Sequence, residues 1–109
     1  MFYEHRTYTT HPWKLRQQLE LYEKHGLPVI ARHNGYPALV GVQETGDVNA
    51  YVHVYAFDSL DDRMRRQAAM RADPEMQEYL RLVREADTIA KMESKFLIRP
   101  PFFNPPGGT

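Results

Sequence analysis

Glu4, Arg6 and Tyr8 alternate near the start of this chain, and His53 and Tyr55 alternate farther along. In an extended strand every second side chain lies on the same face. The spacing therefore aligns an acid, a guanidinium and a phenol on one strand, and an imidazole and a second phenol on another. Neither Glu4 nor Arg6 belongs under apolar helices, because burying an unpaired charge is costly. The set is expected on the face of the sheet away from its helices. Such convergence suits a site for a small, partly polar ligand. His53, between two tyrosines, suits a general base near neutral pH. Arg6 and Tyr55 suit the steadying of a developing oxyanion. Glu4 and Tyr8 would contact the substrate, with Trp13 at the pocket mouth or the dimer edge. The same residues have plainer uses: a Glu4–Arg6 ion pair holding two subunits in register, or His53 hydrogen-bonded to a tyrosine hydroxyl within a core.

The other chemical groups are less suggestive. His5 is out of phase with Glu4 and Arg6, so it is expected toward the helices in a structural role. His11, His25 and His33 lie in or beside the first helical region, and none forms an i, i+4 pair with another. No metal and no cofactor are expected. There is no phosphate-cradling Gly-rich loop and no Gly-x-Ser-x-Gly elbow. The absence of cysteine excludes disulfides and a thiolate nucleophile, and suits a reducing cytoplasm. Arg63-Met64-Arg65-Arg66 follows Asp61 and Asp62 and reads as a solvated helix face. With 14 basic and 14 acidic side chains, nothing directs the chain to nucleic acid.

The elements that must carry these groups follow from changes of period. Phe2 to Tyr8 is rich in β-favouring residues and reads as a strand. Pro12 suits the first position of a helix, in which Leu15, Leu19 and Tyr22 form a stripe with Gln17, Gln18 and Glu20 mostly off it. Gly26 is a candidate cap, and Pro28 marks a second short turn to about His33. Asn34-Gly35-Tyr36-Pro37 is turn chemistry. Leu39 to Thr45 and Ala50 to Phe57 read as strands around a Gly46–Asn49 loop. Ser59 and Asp62 resemble a capping arrangement, ahead of a helix with Leu60, Met64 and Ala68 on one stripe. Asp73-Pro74 starts another, in which Met76, Tyr79, Leu80 and Val83 share a face. Ile89 to Arg99 is strand-like. The order β-α-β-β-α-α-β predicts an α+β, ferredoxin-like antiparallel sheet with helices on one face.

A chain of 109 residues, 42% hydrophobic and 26% charged, is expected to form one domain over residues 1–100, with 101–109 a Pro/Gly-rich tail. It begins directly with strand-like residues, so no signal or transit peptide is expected, and no stretch reaches the ~20 apolar residues that span a bilayer. No membrane insertion and a cytoplasmic location are the expectation. Along the third strand, Val52, Val54 and Ala56 alternate with Tyr51, His53, Tyr55 and Phe57. The small set is expected under the helices, leaving the bulky set bare. Covering such a face favours a homodimer, a second copy laying its sheet over the first.

Several segments together resemble the NIPSNAP family of the dimeric α/β-barrel superfamily. They are Tyr3-Glu4-His5-Arg6-Thr7-Tyr8-Thr9, Gly26-Leu27-Pro28, Leu39-Val40-Gly41, Val52 to Arg63, Ala72-Asp73-Pro74-Glu75 and Ile98-Arg99-Pro100. One departure is His5, where family members commonly carry an aliphatic residue. The resemblance implies two sheets forming a barrel across a dimer, with a small-molecule-sized cavity on the sheet side. It implies no settled common reaction. For an enzyme, the superfamily resemblance implies a cofactor-free oxygenase or isomerase acting on a hydrophobic, partly polar substrate. The alternative is a non-catalytic protein-interaction module that uses the helices and the tail around Phe102 and Phe103.

Overall fold

The computed structural model describes residues 1–104; of the expected tail, 105–109 lie outside the described residues. The chain runs β1 (Phe2–Thr10), α1 (Leu15–Leu21), a π-helical turn (Tyr22–Gly26), α2 (Leu27–Asn34), β2 (Leu39–Val42), β3 (Ala50–Phe57), α3 (Leu60–Ala72), α4 (Pro74–Ala86) and β4 (Ile89–Ile98). The four strands form one sheet in the order β2-β3-β1-β4, with every neighbouring pair antiparallel. This is the α+β, ferredoxin-like architecture that the element order predicts, with the helices on one face.

The faces are the reverse of the expectation. Tyr51, Tyr55 and Phe57 are 1–2% exposed and form the core with Tyr22, Val29, Ile30, Met70, Met76 and Tyr79 from the helical layer. Val52, Val54 and Ala56 occupy the opposite face, with Tyr3, His5 and Thr7 paired across from them. Size explains the inversion: each buried aromatic ring contributes on the order of 2 kcal/mol by area, so the helices cover the large side chains. Glu4, Arg6 and Tyr8 follow, because the register pairs them with Tyr55, His53 and Tyr51. His5 thus lies away from the helices, with its Nδ1 buried and without a partner among the described residues.

The helical layer departs from the expected boundaries in instructive ways. The first helix starts at Leu15, after Trp13 takes a left-handed φ of 71°, so Pro12 does not open it. Gly26 does not stop it. Pro28 has no N–H to donate four residues back, and the widened turn at Tyr22–Gly26 carries the chain into α2 without a loop. Gly26 permits a close approach there, since a Cβ on it would lie 2.6 Å from the Tyr79 ring. Gln18, expected off the buried stripe, is fully buried. Its amide donates to the hydroxyls of Tyr51 (3.0 Å) and Tyr79 (3.1 Å) and accepts from Thr88.

In α3 the stripe of Leu60, Met64 and Ala68 faces outward, and Asp62, Gln67 and Met70 are the buried residues. Polar contacts with other elements hold this rotation, Arg63 Nε donating to Glu4 Oε1 at 2.8 Å and Arg66 Nη1 to the His33 carbonyl at 3.3 Å. The Asp62 amide donates to Ser59 Oγ at 3.0 Å, as the capping pattern predicts, and Arg66 Nε donates to Asp62 Oδ1 at 2.8 Å. Asp73 caps α4 by accepting from the Glu75 amide at 2.9 Å. In that helix Met76 and Tyr79 are buried.

Candidate functional site

β1 and β3 bring five of the six expected residues together, on the helix side of the sheet. Glu4 is buried yet remains an anion, because α3 supplies its partner. Arg63 donates from Nε to Glu4 Oε1 at 2.8 Å and from Nη2 to Oε2 at 3.0 Å, and Ser94 Oγ donates to Oε2 at 2.7 Å. Burial alone would raise the Glu4 carboxyl. The hydrogen bonds from Arg63 and Ser94, with the charges of Arg6 and Arg63, outweigh it and hold the group below its ordinary range. Arg63 therefore belongs to the site and not to a solvated face. Its guanidinium also lies 5.3 Å from the centre of the Phe96 ring.

Arg6 is left lightly engaged. Its Nη1 is 4.0 Å from Glu4 Oε2, its guanidinium lies over the Tyr8 ring at 5.4 Å, and among the described residues nothing accepts from its buried Nε. The expected Glu4–Arg6 pair is thus the weaker of the contacts that Glu4 makes.

His53 and Tyr55 meet a residue that strand alternation alone does not bring in. The Tyr22 hydroxyl, from the π-helical turn, lies 3.2 Å from the Tyr55 hydroxyl and 3.2 Å from His53 Nδ1. The His53 ring packs edge-on against Tyr8 and Tyr55. Burial, reinforced by the positive charge of Arg6, lowers the His53 pKa to about 4, so the imidazole is neutral at neutral pH. Burial pushes the Tyr55 hydroxyl up to about 12 and raises Tyr8 and Tyr22 as well. All three phenols stay protonated and act as hydrogen-bond donors or acceptors, not as anions.

These groups border a cleft between sheet and helices with two chambers. The inner one, about 40 Å³, is bounded by Glu4, Arg6, Tyr8, Asn34, His53 and Tyr55, among others. The outer one, about 270 Å³, shares Arg6, Tyr8 and His53 and is walled by Met76, Leu80, Val83 and Met92. A wider groove of about 510 Å³ runs between α1 and the β2 edge, but the buried charged and imidazole groups are absent from its lining and border the cleft instead. Trp13 is 97% exposed and lines neither chamber. The left-handed backbone before α1 turns it outward, so it is not brought to the site.

Besides Arg63, Tyr22 and Asn34 are site residues that the sequence patterns hide. Tyr22 shares a helical stripe with two leucines, which marks it only as core, and Asn34 sits in what reads as a turn. The signal for Asn34 is its position before Gly35, whose φ of 79° ends α2. Among the described residues no group of three or more His, Asp or Glu side chains is arranged to hold a metal ion, and no helix is long and apolar enough to cross a membrane.

An antiparallel four-stranded sheet with one helical layer, and a polar-floored cleft between them, defines this chain as a ferredoxin-like α+β protein. The chain belongs to the NIPSNAP family, whose model matches residues 3–103. It is similar to a NIPSNAP family protein of unknown function from Agrobacterium tumefaciens, with 35% identity, a TM-score of 0.87, and coverage of 94% of this chain and 91% of that one. It is also similar to an uncharacterized NIPSNAP domain protein from Burkholderia xenovorans, with 26% identity, a TM-score of 0.89, and coverage of 96% and 100%. A more distant likeness, of fold alone, is to SnoaB, a cofactor-independent oxygenase from Streptomyces nogalater. That match has 15% identity, a TM-score of 0.59, and coverage of 90% and 91%. Among curated proteins none matches.

Proposed function

We propose that this chain binds a small, largely apolar molecule in the cleft between its sheet and helices, and that its chemistry is that of a cofactor-free oxygenase or isomerase. The observation that carries the reading is Arg6. It is a lightly engaged cation at the junction of an apolar chamber and a floor of protonated hydroxyls and a neutral imidazole. In that setting Arg6 stabilises an oxyanion as it develops, with the Tyr55 hydroxyl as a neutral donor. His53, unprotonated, accepts the proton. Its depressed pKa makes it a weak base in the empty cleft, and an anion formed beside it would favour the imidazolium. Glu4 orients Arg63 and Arg6, and Tyr8 walls the substrate. The likeness of fold to a cofactor-independent oxygenase supports the same class.

Native mass spectrometry of protein purified without refolding tests this reading. A small molecule should travel with the wild type and be depleted in Arg6→Met. Wild-type protein that carries nothing and shows no thermal shift with any of a panel of small phenols and enolisable ketones would remove the proposal.

The working unit is a homodimer in the cytoplasm. The uncovered sheet face supports pairing: Val52, Val54 and Ala56, with Tyr3 and Leu97, present apolar surface that no helix covers, and a second copy stacking its sheet there would bury it. Sedimentation as a monomer at high concentration would count against the pairing. Residues 1–100 act as the domain and 101–109 as an appended tail. One observation favours the non-catalytic module, namely Phe102 at 87% exposed just after β4. Deleting 100–109 separates the readings, since loss of a protein partner with ligand binding intact would support the module.

A further inference from the structure

Tyr22 holds a single hydroxyl proton between two neighbours. Its oxygen lies 3.2 Å from Tyr55 Oη and 3.2 Å from His53 Nδ1, and a hydroxyl donates one hydrogen bond while accepting up to two. A chain that uses both contacts has two directions. Either Tyr55 donates to Tyr22 and Tyr22 to His53 Nδ1, or His53 Nδ1–H donates to Tyr22 and Tyr22 to Tyr55. A third arrangement, with both neighbours donating to Tyr22, leaves the proton of this buried hydroxyl without a partner among the described residues, which forfeits a hydrogen bond.

The two directions show the cleft opposite faces. His53 Nε2 has no partner among the described residues and, unlike Arg6 Nε, is not sealed from solvent. His53 is only 3% exposed and borders both chambers, so that nitrogen opens on the cleft. In the first direction Nε2 carries a hydrogen and cannot act as a base, and the Tyr55 proton is spent on Tyr22. In the second, Nε2 carries a lone pair and the Tyr55 proton is free.

The strand register decides between them. Arg6 stands directly across from His53, and Glu4 directly across from Tyr55; side chains paired in this way have their Cβ atoms about 5 Å apart. A cation therefore flanks one end of the chain and an anion the other. In the second direction both donated hydrogens point from His53 toward Tyr55, which turns the negative ends of these dipoles toward Arg6 and the positive ends toward Glu4. Arg63 neutralises part of the Glu4 charge, so Arg6 is the stronger influence, and its charge does reach the imidazole.

We infer that Tyr22 is a positioning residue: it fixes His53 as the Nδ1–H tautomer, which leaves Nε2 as the basic nitrogen at the cleft and keeps the Tyr55 hydrogen available. How the cleft uses this tautomer rests on the function proposed above. A proton leaves the ligand for Nε2, the electron pair stays on the ligand as an oxyanion, and Tyr55 donates to that oxyanion.

Heteronuclear NMR of the full chain with nitrogen-labelled histidine reads the tautomer at neutral pH, because protonated and bare ring nitrogens resonate far apart. The signals lost in His53→Gln identify the ring. Wild type is expected to show Nδ1 protonated and Nε2 bare. Tyr55→Phe removes the acceptor of the Tyr22 proton, which then turns to Nδ1. The tautomer ratio should move toward Nε2–H by about tenfold, the factor one hydrogen bond supplies. Tyr8→Phe alters a ring packed on the same imidazole but outside the chain, and should leave the ratio as in wild type. Nε2–H in the wild type, an unmoved ratio in Tyr55→Phe, or an equal move in Tyr8→Phe would overturn the inference. If Tyr55→Phe does not fold, the wild-type spectrum decides alone. Bound ligand is scored apart: a wild type with Nδ1–H that carries none supports the chain and counts against the function, and one with Nε2–H that carries a ligand does the reverse.

Discussion

Glu4 and Arg63, separated by 59 positions, meet in a two-pronged pair of 2.8 and 3.0 Å between the first strand and the third helix. This contact lets a carboxylate lie under the helices without titrating there. It also leaves Arg6, its neighbour on the strand, lightly engaged. Electrostatics at the site therefore begins on α3, outside the strands that carry the expected catalytic groups.

Removing the cation should expose the cost of the buried anion. Arg63→Met is expected to destabilise the fold by about 3 kcal/mol, at the lower end for breaking a buried pair because Arg63 keeps some contact with water. Adding Glu4→Gln should recover most of that loss. Urea unfolding of the two variants checks both statements. A single variant as stable as the wild type would show that Glu4 does not depend on Arg63.

His53 should make stability depend on pH in a defined window. Its ordinary pKa is 6.5 and its folded value about 4, so between these limits the unfolded chain binds a proton that the native chain refuses. Stability is full above about 6.5, falls as the pH drops toward 4, and from this group falls no further below that. The whole difference is worth roughly 3 kcal/mol. Glu4, lowered from 4.5, works in the same direction but only at more acid pH. His53→Gln should therefore flatten the change in urea midpoint between pH 7 and pH 5. An unchanged slope would assign it to other groups.

The close approach of Gly26 and Tyr79 is a packing constraint with a clear sign. Gly26→Ala places a methyl 2.6 Å from the ring of a buried tyrosine, and overpacking of this kind costs about 1–3 kcal/mol. Tyr79→Leu, made alone, costs stability through lost packing and the loss of one of the two hydrogen bonds that the Gln18 amide donates. In the Tyr79→Leu background the added cost of Gly26→Ala should shrink toward zero. Thermal melts of the four-member cycle test the coupling, and additive losses would contradict it.

Trp13 combines a left-handed backbone with nearly complete exposure. A bulky residue there costs about 1 kcal/mol or more relative to one that tolerates the conformation. Trp13→Asn is expected to raise the melting temperature, with ligand binding in the cleft unchanged. A fall in melting temperature that deepens on dilution would instead show Trp13 packing on a second copy.

Much of the fold is legible in the residues. Period-two alternation marks Ala50–Phe57 as a strand, and the Ser59–Asp62 and Asp73–Pro74 signals place the starts of two helices, because these are local contacts between near neighbours. The grouping of Glu4, Arg6, Tyr8, His53 and Tyr55 is legible for the same reason, since alternation fixes which side chains share a face. The helical layer is less so. Gln18, Asp62 and Gln67 are buried, and Leu60 and Met64 are not; Gln18 is held by Tyr51, Tyr79 and Thr88 from distant segments, contacts that helical spacing does not reveal.

By itself the sequence determined the membership of each face of the sheet, the order of elements and the family. Which face lies under the helices was decided only in three dimensions. A period of two sorts side chains into two sets but labels neither one, and the label comes from where the crossing helices find the largest surface to bury. Tyr22 and Arg63 reach the site by that same packing, so the cleft belongs to the tertiary structure even though most of its chemistry was written along two strands.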